Sequence, residues 1–526
     1  MKKYIFGLAL SLAAQWGFAQ HAHPSCGTSV ADQAQFTDRL RENVANAEKL
    51  SPADFALQYV PLHFHLVGDQ SGNGKHRVSR VLDQLCDLNA QYEALEMRFY
   101  ISPHPTFGIF DSTLNLDNVY SNQAGAFSMN SKRHPNALNI YIVDKADGDD
   151  GVLAYYSPSR DWVVAEKAYV KGNGEGKQVL PHEVGHFFSL AHTFYGYEPN
   201  PFDGYVGSGF PNDATWPTAP TVSPGGIPTE RMNGTNCATS GDYICDTPPD
   251  YNFGFSPYDD GSCTYKGGIN GVFAKDPQGT VVNTPMENNL MGYFFGCSSY
   301  EFTAQQRTAI LADRNQSSRN YLDNNFTPIA TEIVTPTDLL TSPANNSTTQ
   351  NYDFQVFEWQ AVPGAKWYLI EFDISSSYNT GFYQGFISTT PSVTVKTLNA
   401  SRTYFWRVRP FNEYATCAAS RQRTVKTNNV SVTNIREVEG LSNWQIMPNP
   451  AERGATIFMS MELENAMDAT LRVFDVYGRE MYRQNKQAFN AGLNTLEVPT
   501  AQLSSGVYFI SLENGSGQSV KRIAVN

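Results

Sequence analysis

The chain has 526 residues, a formal net charge of −13 and a 41% apolar content, which is too long for one domain and rich enough for several cores. Its 38 basic residues are outnumbered by 51 acidic ones and form no run beyond Lys2-Lys3, so nucleic acid and anionic membrane are poor partners. After the N-terminus no stretch reaches the roughly 18 apolar residues that span a bilayer, so no transmembrane helix is expected.

In chain order, Lys2-Lys3, the apolar run 4–14 and Gly17-Phe18-Ala19 have the layout of a secretory signal peptide covering residues 1–19. Seven cysteines in an exported chain imply disulfides and at least one thiol left over. Residues 20–54 are predicted to be a pro-segment, with 31–54 polar and exposed, a cleavable connector. Residues 59–67 alternate as a strand, 78–95 have helical spacing, and 97–101, 138–143 and 162–170 are further strands. His63 and His65 lie on the side of the first strand opposite Phe64 and are expected to be packed or exposed rather than a metal pair. His21, His23, His104 and His134 carry less information still.

Gly172 and Gly176 bracket a loop from which a helix can start, and Val179, Leu180, Val184, Phe187 and Phe188 continue with helical spacing. On that helix His182-Glu183-Val184-Gly185-His186 places two imidazoles one turn apart on one face, with a carboxylate beside them. His192 adds a third nitrogen six residues on. Three protein ligands leave the fourth position of a zinc ion open, the arrangement of a catalytic site. Glu183 is the expected general base.

The segment after His192 is expected to be mostly irregular, stapled by two disulfides among Cys237, Cys245, Cys263 and Cys297, with all three pairings open. Asp242, Asp246 and Thr247 offer hard oxygens to a calcium ion, or else form a turn before Pro248.

The His182 to His192 spacing resembles the metzincin signature H-E-x-x-H-x-x-G-x-x-H, with Asn289-Leu290-Met291-Gly292-Tyr293 as its downstream Met turn. Together with His192-Thr193-Phe194, Asp246-Thr247-Pro248, Cys297 and Phe302-Thr303-Ala304-Gln305-Gln306, it is similar to the pappalysin (cytophagalysin) metzincins over residues 55–315. The resemblance implies an α+β zinc peptidase domain, assigned to 55–328, with Met291 as an apolar floor under the metal and Tyr293 steadying the oxyanion. Ser189 stands where metzincins have Gly, and a left-handed Ser costs on the order of 1–2 kcal/mol. Relatives that prefer basic residues carry an acidic side chain where this chain has Phe295, which implies an apolar specificity pocket. The Cys26-Gly27 pair is similar to a segment ahead of the catalytic domain in this family, which implies a latency switch with the Cys26 thiolate on zinc. A Cys26–Cys86 disulfide, or an idle thiol, is the alternative.

Near residue 330 the composition turns to Thr, Pro, Ser and Asn, and 336–351 is predicted to be a linker. Short alternating strands at 357–359, 367–372, 393–395 and 403–409, with Trp359, Tyr404, Trp406 and Val408 as core, are similar to a fibronectin type III domain over 329–430. Met447-Pro448-Asn449-Pro450, Val473-Phe474-Asp475-Val476-Tyr477-Gly478-Arg479, Gly506-Val507-Tyr508 and Lys521-Arg522 resemble the C-terminal sorting domain of the type IX secretion system over 436–526.

The expected fold is thus multidomain, an α+β metzincin-type domain followed by two all-β sandwiches. The expected function is a secreted or cell-surface metalloendopeptidase with one catalytic zinc, acting on proteins or peptides and exported by the type IX machinery. The alternative is an inactive surface adhesin that binds through its sandwich.

Overall fold

The computed structural model describes residues 25–28, 30–116, 123–146, 151–171, 176–198, 202, 218–254, 261–267, 273–323, 332–431, 437–515 and 517–526. The expected signal peptide, His21, His23 and residues 172–175 of the glycine loop lie outside them. The chain divides into two compact units, one of Met1–Asn345, Glu358–Val393 and Tyr404–Thr424, the other of Asn346–Phe357, Thr394–Thr403 and Val425–Asn526.

The first unit is built on a six-stranded sheet. Its strands are β1 (Ser25–Cys26), β2 (Gln58–Leu66), β3 (Met97–Ile101), β4 (Leu138–Val143), β5 (Val152–Ser157) and β6 (Trp162–Glu166), in the spatial order β1-β5-β6-β4-β2-β3. All neighbours are parallel except β5 with β6. Five helices accompany it: α1 (Val30–Asn46), α2 (Val78–Gln91), α3 (Gln123–Asn130), α4 (Val179–Phe187) and α5 (Ala304–Arg314). The strands β2 and β4 are buried on both faces, as a parallel sheet covered by helices requires. From α2, Val81, Leu82, Leu85 and Leu88 enter one core with Phe64, Ile140, Val184 and Phe187.

Three expectations need correction. Residues 31–54 are not an exposed connector: most of them form α1, whose Phe36 and Leu40 are 1% and 0% exposed in the main core. The supposed linker contains strands at Leu340–Ser342 and Ser347–Thr348. Cys86 does not pair with Cys26 but with Cys417, closing a 331-residue span.

That bridge joins α2 to an all-β segment of the same unit, in which Trp367–Asp373 pairs antiparallel with Gln384–Ser388 and with Thr403–Phe411. Arg409, 3% exposed, reinforces the junction by donating to Ser79 O and pairing with Asp83 at 2.6 Å. Among the described residues every regular element from Leu340 onward is a strand, and Trp359, Tyr404, Trp406 and Val408 are buried.

In the second unit, the residues from 441 on form a three-stranded and a four-stranded sheet around Ile457, Met459, Leu471, Val473, Ile510 and Leu512. The Asp475 to Arg479 stretch is a tight turn between two strands. Asp475 accepts from the Tyr477 and Arg479 amides, and Gly478 takes φ +78°.

Candidate metal centre

Every residue of α4 is buried. Pro181 is tolerated because it lies in the first turn, where an amide hydrogen has no intrahelical acceptor. One turn apart, His182 and His186 stack edge-on with ring centroids at 4.7 Å. Nδ1 of His182 faces Leu290 O at 2.7 Å, and Nδ1 of His186 faces Leu190 O at 2.7 Å. A carbonyl only accepts, so both Nδ1 atoms carry the proton and both Nε2 atoms keep a bare lone pair, the tautomer a metal requires. Nε2 of His182 is buried without a partner, and Nε2 of His186 lies 3.1 Å from Nε2 of His192. Burial pulls His182 down to about 4 and drives His186 and His192 well below the ordinary imidazole value, so all three stay neutral.

The turn after α4 brings His192 round. Ser189 adopts φ +70°, where a Cβ is strained, and its hydroxyl accepts from Asn43 Nδ2 at 2.8 Å. Asn43 belongs to α1, so the N-terminal segment braces the bend at its strained residue.

Cys26 Sγ and the three imidazoles present ligand atoms that all lie within 4.8 Å of one another. Among the described residues no other group of three or more His, Cys, Asp or Glu does so. One thiolate and three nitrogens suit tetrahedral zinc, and the orphaned His182 Nε2 is the kind of buried atom such an ion would satisfy.

Cys26 reaches this point because β1 adds to the edge of β5 as a parallel strand, with Gly27 N–H donating to Ala154 O at 2.7 Å. Gly27 is needed there, since a Cβ would lie 2.5 Å from Val152 Cγ1. Burial, then the charge of Glu183, holds the thiol pKa well above its usual value, so a thiolate at this place depends on a cation beside it. Burial also pushes Glu183 up to about 8. Its Oε2 accepts from Thr28 Oγ1 at 3.4 Å, so the segment that brings Cys26 also occupies the carboxylate.

Met291 is fully buried, and its sulfur lies 2.4 Å from where a Cβ on Gly185 would stand, so the turn packs directly against the ligand helix. Asn289 exchanges hydrogen bonds with Gln306, which forms a capping box with Thr303 at the start of α5. That explains why the Asn-Leu-Met-Gly-Tyr and Phe-Thr-Ala-Gln-Gln stretches occur together. The Tyr293 hydroxyl accepts from Cys26 N–H at 3.1 Å and donates to Cys26 O at 3.4 Å. Leu153, Val179, Phe294 and Phe295 line a pocket beside His182 and Glu183.

The four loop cysteines pair as Cys237–Cys245 and Cys263–Cys297, and Cys26 is the free thiol. The three calcium candidates are not gathered around one point. Thr247 Oγ1 donates to Asp242 at 3.0 Å, while exposed Asp246 accepts from Gln305 N–H at the start of α5. Burial, then the charges of Asp242 and Asp250, raises Glu230, while burial with the charges of Asp246 and Asp250 raises Asp242.

His63 and His65 share a buried face. The His63 ring centroid stands 5.8 Å from that of His104 and 5.4 Å from that of His134. Their ring nitrogens are committed in part to Ser102, Asp111 and backbone amides.

Thr28, Gln33 and Glu198 border the site without any sequence motif to mark them. The Phe36, Leu40, Val44 spacing of four was the signal that could have revealed α1 and with it Gln33.

Residues 445–526 match the family described as secretion system C-terminal sorting domain. No curated protein matches the chain. Among solved structures, the FN1-FN3 domains of chicken CNTN1 are 12% identical, with 37% of this chain and 67% of that chain covered and a TM-score of 0.15. FN3tt is 20% identical over 20% of this chain and 94% of that chain, with a TM-score of 0.13. The sorting domain makes this a secreted or cell-surface protein that engages the type IX secretion machinery. Among the described residues no helix is long and apolar enough to cross a membrane.

Proposed function

We propose that the chain is a secreted zinc-dependent endopeptidase of the pappalysin type, kept latent by its own N-terminal segment, with a fibronectin type III-like sandwich before the sorting domain. The observation that carries this reading is the convergence of Cys26 Sγ with three neutral imidazoles, two of which have their Nε2 lone pairs bared by backbone carbonyls at Nδ1.

A zinc ion held by His182, His186 and His192 would supply a water of lowered pKa and polarise the scissile carbonyl. The chain's own groups do the rest. Glu183, freed from Thr28, takes the proton of the attacking water and passes it to the leaving amine. With β1 gone, the edge of β5 is open to an extended peptide, which adds there as a strand. The Tyr293 hydroxyl, now bound to the Cys26 backbone, is then available to a peptide carbonyl. The apolar walls Leu153, Val179, Phe294 and Phe295 favour a hydrophobic side chain, since none of them pairs with Arg or Lys.

The test combines metal analysis with protein cleavage by the matured chain. One zinc per chain is expected, with activity lost to a chelator. Glu183→Ala should keep the metal and lose about 10²–10⁴-fold in activity, because the residue moves a proton and ligates nothing. A zinc-loaded wild type that cuts no protein or peptide would favour the adhesin instead.

A further inference from the structure

The geometry points to Glu198 as the positioning residue of the third ligand, His192, an inference that rests on the zinc reading above. His182 and His186 each give Nδ1–H to a backbone carbonyl. His192 has no such carbonyl. The polar groups at its Nδ1 are Gln33 Nε2, at 3.0 Å, and Glu198 Oε1, at 3.5 Å.

These two groups suit opposite states of the ring. The carboxamide N–H of Gln33 can donate to Nδ1 only while that nitrogen is bare. Ligation through Nε2 places a hydrogen on Nδ1, which then needs an acceptor. Glu198 Oε1 is that acceptor: it is buried 3.5 Å from Nδ1, with the Gln33 carboxamide as the carboxylate's neighbouring side-chain donor, while Oε2 is tied to the Gly196 amide at 2.7 Å. The short turn from His192 to Glu198, through Gly196 at φ +101°, carries the carboxylate back to the ring. Phe194 stacks on His192 with centroids at 4.6 Å and an interplanar angle of 13°. Stacking fixes the plane of the ring, and the Nδ1 partner fixes its rotation within that plane. Gln33, fully buried on α1, is displaced from Nδ1 when the ring ligates and leaves altogether if α1 lifts away.

The experiment is zinc affinity by chelator competition on the full chain lacking its signal peptide, with the visible spectrum of the cobalt(II)-loaded protein alongside. Glu198→Ala should weaken zinc by about 10–100-fold and shift the cobalt bands. Glu198→Gln restores an accepting oxygen and should recover most of the affinity and the wild-type bands, which a merely structural loop residue would not require. Gln33→Ala should leave affinity within about twofold, since an N–H donor does nothing for a ligated ring. Zinc affinity of Glu198→Ala within twofold of wild type overturns the assignment, as does a Gln33→Ala loss equal to that of Glu198→Ala, and the zinc reading survives both. A wild type that takes up no zinc sinks the zinc reading itself.

Discussion

Leu40→Ala tests whether α1 is the clasp that holds the N-terminal segment over the metal ligands. Leu40 is fully buried and, with Phe36 and the half-buried Val44, forms the apolar face of that helix. Cutting a leucine back to alanine in a filled core costs roughly 2–5 kcal/mol. At tenfold per 1.4 kcal/mol, the population with the segment lifted should rise by about 30-fold to a few thousandfold. The polar anchors remain, with Arg39 Nε at 2.7 Å and Asn43 Nδ2 at 2.9 Å from Asp313 Oδ2. Cys26 also remains, and as the free thiol it reports the lifting without any reliance on catalysis. The assay is the rate at which a thiol reagent labels Cys26 under native conditions, followed beside peptide cleavage by the uncleaved precursor. Both should rise by the same factor. A labelling rate unchanged within twofold, together with a melting temperature lowered as for any core Leu→Ala, would show that α1 is a permanent part of the fold, and the clasp argument would be wrong.

Acid should weaken the first unit. Burial, helped by His65, His134 and His104, lowers His63 to about 3, so between pH 6.5 and 3 the unfolded chain binds a proton that the folded one excludes. Stability from this group is full above pH 6.5 and falls by about 2–3 kcal/mol at pH 4.5; urea melts should show it, and His63→Gln should flatten that slope. Gly254→Ala should cost roughly 1–3 kcal/mol or more and displace Tyr293, because its Cβ would stand 2.4 Å from the Tyr293 carbonyl carbon, a backbone atom that cannot swing aside. Gly185→Ala, which meets only the flexible end of Met291, should cost less, and thermal melts of the pair decide. Deleting residues 445–526 should leave the protein inside the producing cell; normal amounts in the medium would refute the sorting role.

What the sequence determined by itself was whatever depends on short spacing. Two imidazoles four residues apart on a helix must share a face, so His182 and His186 were legible before any fold was known, as were the alternating strands β2, β3 and β4. The left-handed turn at Ser189 was an expectation carried by the metzincin resemblance, and Ser189 takes φ +70°. Helix α1 was not, because its buried face mixes Gln33, Thr37 and Asn43 with Phe36 and Leu40, and polar residues read as solvent-facing until their partners are in place. Those partners, His192, Ser189 and Asp313, lie 146 to 270 residues away. Tertiary structure alone decided that Cys86 meets Cys417, that Cys26 meets the imidazoles, and that Glu198 faces Nδ1 of His192. Each is a contact between groups with no fixed sequence separation, set by which strand edges and helix faces the core leaves beside one another.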